Sequence, residues 1–194
     1  MSSHATFDSY FHRQPAPARV GLVSLGHYLY WPQFDGLKEQ LLAYHAEFAE
    51  HLASFDVELI DVGMSDSPQR AAELADQLQA ADVDLVIAFL ATYTPSADAL
   101  PIARRTGRPL VLAALQPDAA LDYPNATTYA QLCNDNICSL PEICCALRRA
   151  GLDAADAVVG RLRGDERAWG RLRAWCDVAR VLHVLRREIG RAHV

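Results

Sequence analysis

Five short apolar runs recur along the chain: "VGLVSL" (20–25), "VELIDV" (57–62), "DLVIAFL" (84–90), "PLVLAAL" (109–115) and "DAVVGRL" (156–162). They are rich in Val, Ile and Leu and mostly do not alternate in polarity, the pattern of strands covered on both faces. Helical spacing fills the intervals. Leu37, Leu41, Tyr44, Phe48, Leu52 and Phe55 fall three or four residues apart, with Glu39, Glu47 and Glu50 elsewhere on the same helix. Ser67 as N-cap and Pro68 in the first turn open a second helix through Ala71, Leu74, Leu78 and Ala81. A third, "SADALPIARRTG", runs from Ser96 to Gly107 with Pro101 marking a kink or restart. In the fourth, "SLPEICCALRRAG", Ser139 and Glu142 are spaced as a capping box and Gly151 is the stop.

The last helix, about Asp165 to Arg187, carries two apolar stripes. Trp169, Leu172, Cys176, Ala179 and Leu182 form one, and Trp175, Val178, Val181 and Leu185 form the other. Two stripes require two covers, the sheet and something beyond a lone domain. Strand and helix alternate throughout, which predicts an α/β fold: an open parallel sheet of about five strands, helices on both faces, in flavodoxin-like (Rossmann-like) order.

Composition narrows the partners. The 194 residues fit one domain of ordinary size, with a polar tail over 1–18 ending in "PAPA". Net charge is -6 and Lys38 is the only lysine, so the basic footprint of a nucleic-acid binder is missing. No basic, apolar leader opens the chain and no run approaches the ~18 apolar residues of a membrane helix, so the expectation is a cytoplasmic protein with no membrane partner. Five cysteines, an odd number, suit reduced thiols better than a disulfide framework. The spacing of Cys133 and Cys138 is not that of a zinc knuckle.

Ligands of open parallel sheets lie outside the carboxyl ends of the strands. The loops expected there carry His27, Tyr28, Tyr30, Trp31, Thr92, Tyr93, Thr94, Gln116, Tyr123, Tyr129, Asn134 and Asn136. No G-x-G-x-x-G, G-x-x-x-x-G-K, G-x-S-x-G or H-E-x-x-H accompanies them. Aromatic faces with amides and hydroxyls suit a polyhydroxylated ligand such as a sugar. Each residue also has a structural reading: Tyr28 and Trp31 as caps on the sheet edge, His27 as a satisfied histidine, Tyr93 as a turn aromatic. His45 and His51 lie off a common helical face and read as solvated or packing residues.

The succession "VSLGHYLYW", "LATYTPS", "RPLVLAALQ", "AQLCNDN", "ADAVVGRLRGD" and "RAWGRLRAW" resembles the N-terminal domain of the L-arabinose isomerase family, in the arabinose/fucose isomerase superfamily, over about Arg19 to Arg187. The resemblance implies aldose–ketose isomerisation through an ene-diol, with a divalent metal, usually Mn2+, held by two glutamates and two histidines of later domains. No part of this chain matches those ligands, so no catalytic or metal-ligating residue is expected in it. The first domain would supply substrate contacts, some to a neighbouring subunit of a hexamer. Carried over by position, Leu29 and Tyr30 match a substrate loop in which His27 replaces a glutamine and Trp31 a glycine. Tyr93 corresponds to an aromatic that reaches the sugar, and Asn134 takes another glutamine's place. Ile137 falls where the family offers a histidine, which implies a sugar other than L-arabinose.

The closing residues Ile189 to Val194 are those that the codons ATC GGA AGA GCA CAC GTC would specify, a stretch that resembles the start of a short-read sequencing adapter whose next codon is a stop. The expectation is that 188–194 is adapter-derived and that catalytic domains follow 19–187 in the natural protein. The resulting reading is the substrate-contacting and oligomerisation domain of a metal-dependent sugar isomerase, inactive alone. Its rival is a stand-alone sugar-binding or sensing module without catalysis.

Overall fold

The structure is a computed structural model and describes residues 16–186. The polar tail up to Pro15 and the expected adapter-derived residues lie outside the described residues, as does Arg187, the expected end of the last helix.

The five apolar runs form five strands: β1 (Arg19–Leu25), β2 (Glu58–Ser65), β3 (Leu85–Leu90), β4 (Leu110–Gln116) and β5 (Asp156–Arg161). All neighbours pair in parallel, in the order β2-β1-β3-β4-β5. This is the flavodoxin-like α/β arrangement. The helices are α1 (Leu37–Ala53), α2 (Pro68–Ala80), α3 (Leu100–Thr106), α4 (Thr128–Asn134), α5 (Ser139–Arg149) and α6 (Glu166–Val184).

Alternation along each strand divides the core into two layers. Leu22, Ile87, Phe89 and Val111 point toward α1, α4 and α6, where they meet Leu41, Phe48, Leu132, Trp169 and Leu172. Val23, Val86, Ala88 and Leu112 point toward α2, α3 and α5, against Leu74, Leu78, Ile102, Ile143 and Leu147. Every residue of β3 is buried, as its unbroken apolar run predicts. The outer strands differ from expectation: β2 and β5 are half-buried, because an edge strand has a neighbour on one side only. In β2, Gly63 at φ +81 falls where the register with β1 shifts, and its N–H is held by Asp61 Oδ1 at 2.9 Å.

The helix signals hold with instructive exceptions. Ser67 Oγ accepts from the Arg70 N–H at 3.2 Å and caps α2 as expected. The third helix does restart at Pro101: a 3-10 turn over Ser96–Asp98 precedes α3, which ends at Gly107 with φ +58. Helix α4 has no counterpart in the hydrophobic pattern; its N-cap Thr127 accepts from the Ala130 N–H. The capping box expected at α5 is absent. Neither Ser139 nor Glu142 caps that helix, and both turn to the loop after β3.

Helix α6 shows its two stripes. Trp169, Leu172, Cys176 and Ala179 are buried against the sheet, whereas Val178, Val181 and Leu185 are exposed. Trp175, from the second stripe, lies half-buried with its Nε1 donating to Asp156 Oδ2 at 2.7 Å. His45 is buried, its Nε2 2.9 Å from both carboxylate oxygens of Asp61, and His51 stacks on Trp169 at 3.8 Å, so both pack. Among the described residues no helix is long and apolar enough to cross a membrane.

Candidate functional site

The strand order reverses direction between β1 and β3, whose onward connections diverge to opposite sides, opening a crevice at their carboxyl ends. The β1 loop is pinned from both sides. Gly26 N–H donates to the Ser65 carbonyl at 2.9 Å and Tyr28 N–H to the Asp66 carbonyl at 3.0 Å. The Gly26 carbonyl accepts from the Thr94 hydroxyl at 2.7 Å. A Cβ on Gly26 would stand 2.7 Å from Met64 Sδ and 3.2 Å from the Trp31 ring, so a side chain here would displace both of them. Trp31 donates through Nε1 to Asp66 Oδ2 at 2.8 Å, and Lys38 both bonds that carboxylate and lies over the indole. Trp31 thus locks the loop beneath His27.

His27 is held edge-on by Tyr28 and Tyr30, with centroids 5.5 and 5.1 Å away. Its Nδ1 is buried, has no hydrogen-bond partner, and faces Asp98 Oδ2 at 3.7 Å. Asp98 belongs to the 3-10 turn after β3 and its side chain is 2% exposed. Ser65 Oγ donates to its backbone carbonyl at 2.8 Å, tying the turn to the end of β2.

The β3 loop is clamped by α4, α5 and their junction. Thr92 Oγ1 donates to the Leu132 carbonyl at 2.6 Å, and Asn136 Nδ2 to the Leu90 carbonyl at 2.6 Å. Ser139 Oγ accepts from the Thr94 N–H at 2.6 Å. Glu142 accepts from the Ser96 N–H at 2.8 Å and the Tyr93 hydroxyl at 3.0 Å. These contacts explain the missing capping box: the loop's N–H groups have no strand partner and take both side chains.

Charge is tuned by burial and by neighbours. Burial lowers the His27 pKa, opposed by Asp66. Burial lifts Asp98 to about 6, opposed by its contact with Thr94 and aided by Asp66 and Glu142. The Ser96 N–H lowers Glu142 below the usual range, and the bond to Glu142 raises the Tyr93 phenol. Tyr30 is raised by burial and by Asp135, which also acts on Tyr93.

A raised carboxyl costs stability above its folded pKa. Between 3.8, the unfolded value, and about 6 the unfolded chain releases the Asp98 proton while the folded chain keeps it, so this group's contribution falls as pH rises. About two pKa units correspond to about 3 kcal/mol. Asp98→Asn should therefore be more stable than the parent in urea unfolding above pH 6, with the advantage vanishing below the unfolded value. An equal stability difference at both ends of that window would refute the assignment.

The structure brings His27, Tyr30 and Tyr93 to the same end of the sheet. Leu29 is 48% exposed on the turn between Tyr28 and Tyr30. Asn134 is nearly buried and stapled to the β4 loop: its Nδ2 donates to Asp118 Oδ2 at 2.8 Å and the Ala130 carbonyl at 3.0 Å, and its Oδ1 accepts from the Asp118 N–H at 3.1 Å. Gln116 Nε2 donates to the Asp118 carbonyl and Tyr129 to the Gly36 carbonyl, while Tyr123 projects outward. Sequence reasoning missed Asp98 and the loop-holding role of Glu142. Both read as helix-start acids, and nothing local marks a carboxylate that turns inward.

Among the described residues no three His, Cys, Asp or Glu side chains gather as a metal site, so they do not fit a resident Mn2+. The arrangement can accept or hold a proton at His27 and Asp98 and offer tyrosine faces and hydroxyls.

No family model matches the chain, and no curated protein matches it significantly. Among solved structures it is similar to a type II dehydroquinase from Propionibacterium acnes, with 13% identity and a TM-score of 0.42 over 80% of this chain and 98% of that one.

Proposed function

We propose that this chain is the substrate-contacting domain of a cytoplasmic, metal-dependent aldose–ketose isomerase of the L-arabinose/L-fucose isomerase type, with Mn2+ and the proton-moving glutamates supplied by residues outside it. One observation carries the reading. His27 and Tyr30 from the β1 loop and Tyr93 from the β3 loop, the positions the family resemblance assigns to sugar contact, occupy the same crevice end of the sheet. Tyrosine faces stack on sugar C–H groups, while His27 and the tyrosine hydroxyls exchange hydrogen bonds with sugar hydroxyls. The exposed stripe of Val178, Val181 and Leu185 is consistent with a domain that packs against further protein, as in a homo-oligomer.

Titrating the chain with a panel of aldopentoses and 6-deoxyaldohexoses, L-arabinose and L-fucose among them, followed by NMR of the ring protons, tests the reading. Expected are shifts at His27, Tyr30 and Tyr93, weakened in Tyr93→Ala, and no aldose–ketose conversion with added Mn2+. Unmoved ring signals at saturating sugar would defeat the sugar reading. Conversion by the chain alone would instead defeat the placing of catalysis outside it.

A further inference from the structure

Four observations converge behind His27. Its Nδ1 is buried and unpartnered. The nearest acid, Asp98 Oδ2, stands 3.7 Å away and is itself buried. The Thr94 hydroxyl lies 3.4 Å from that oxygen but has one proton, which goes to the Gly26 carbonyl at 2.7 Å. Apart from this long contact with a hydroxyl whose proton is already engaged, the donor open to an ionised Asp98 among the described residues is a proton on His27 Nδ1. Such bonds are often long before a ligand arrives and tighten in its complex.

We propose that Asp98 is a positioning residue for His27: its buried carboxylate holds the proton on Nδ1 and so presents the bare Nε2 of the ring, as hydrogen-bond acceptor and base, to a hydroxyl of the ligand. The ligand half of this inference rests on the sugar reading above; the pairing does not. Free imidazole side chains favour the other tautomer, with the proton on Nε2, and that form would point a lone pair at a buried carboxylate. Repulsion there selects Nδ1–H.

The remaining charges around the pair are already engaged. Asp66, at the end of β2, is bonded to Trp31 and Lys38. Glu142, on α5, is bonded to Tyr93 and Ser96. Tyr28 and Tyr30 meet the imidazole through ring edges. None of these supplies a second proton to Asp98, so protonation on the acid side falls on the pair itself. The imidazole then becomes a donor at both nitrogens and loses its function as a base.

A merely structural Asp98 and a positioning one predict different results. Nitrogen-15 NMR of the histidine rings, with His27 assigned by the signal lost in His27→Gln, reads the tautomer directly and needs no ligand. Above neutral pH the unsubstituted chain should show His27 with its proton on Nδ1. Asp98→Asn should lower the pH at which His27 gains its second proton, since the carboxylate that stabilises the imidazolium is gone. The same variant should bind L-arabinose or L-fucose several-fold more weakly although it is the more stable protein at neutral pH. A His27 proton on Nε2 in the unsubstituted chain, or a titration indifferent to Asp98→Asn, overturns the pairing. Correct tautomer and titration with no sugar response keep the pairing and overturn its sugar ligand, along with the reading on which that ligand rests.

Discussion

Asp84→Ala should be among the most destabilising single changes in the protein, costing about 3–5 kcal/mol. Asp84 sits at the amino end of β3, opposite the crevice, with its side chain fully buried. Three groups converge on it: the Arg19 N–H at 2.9 Å, His183 Nδ1 at 2.7 Å and Arg186 Nη1 at 2.9 Å. The carboxylate thus joins the start of β1, the start of β3 and the end of α6. Alanine leaves the Arg19 N–H and the buried His183 without their acceptor, and each stranded donor costs about 1–3 kcal/mol. Arg186 is 30% exposed and can turn to solvent, so it adds little to that loss, and Arg186→Ala, which leaves the carboxylate its bonds to the Arg19 N–H and His183, should cost less than Asp84→Ala. Urea unfolding reads both. Since a domain holds only about 5–15 kcal/mol in total, Asp84→Ala should unfold at markedly lower denaturant, and equal losses for the two variants would contradict the network.

Phe48→Ala should cost a similar amount, about 3–5 kcal/mol, through a cavity. Phe48 is fully buried on α1, stacked on Phe89 of β3 at 4.7 Å and packed on Trp169 of α6 at 5.0 Å. One ring therefore bridges α1 and α6 to the central strand. Trp169 is held by its Nε1 bond to the Leu162 carbonyl at 2.9 Å and by His51 stacked above it, so it cannot collapse into the vacated space. Relaxation is limited, and the loss should fall in the upper part of the large-to-small range. Phe48→Leu, which keeps most of the volume, should lose much less, and thermal melts of the pair would show the difference.

These two sites differ in how far the sequence announces them. Phe48 is legible: it sits in the Leu37–Leu52 stripe, and period alone places it inside. Asp84 is not, because an acid at the start of an apolar run looks like solvated punctuation until His183, 99 residues later, folds onto it.

The same division runs through the fold and the crevice. Local pattern determined the five strands, five of the six helices, the restart at Pro101, the cap at Ser67 and the uncovered stripe on α6, because each depends on spacing within a few residues. Strand alternation with helices also determined the parallel order, since crossover handedness leaves few ways to connect such elements. Pattern was blind to α4, a seven-residue helix inside a long loop with little periodicity to detect. It was misleading at Ser139 and Glu142, where spacing suited a capping box but the backbone of a loop 45 residues away offered better donors.

At the crevice, residue types along the chain marked a wide set of loop candidates, because those loops had to emerge at strand ends, and only the family resemblance singled out His27, Tyr30 and Tyr93 among them. Only the tertiary structure set Asp98 behind His27 and turned the Asn134 amide onto Asp118. The physical reason is that hydrogen-bond pairing of buried polar groups is a global matching problem: which donor meets which acceptor depends on groups that approach only after the apolar surfaces have packed.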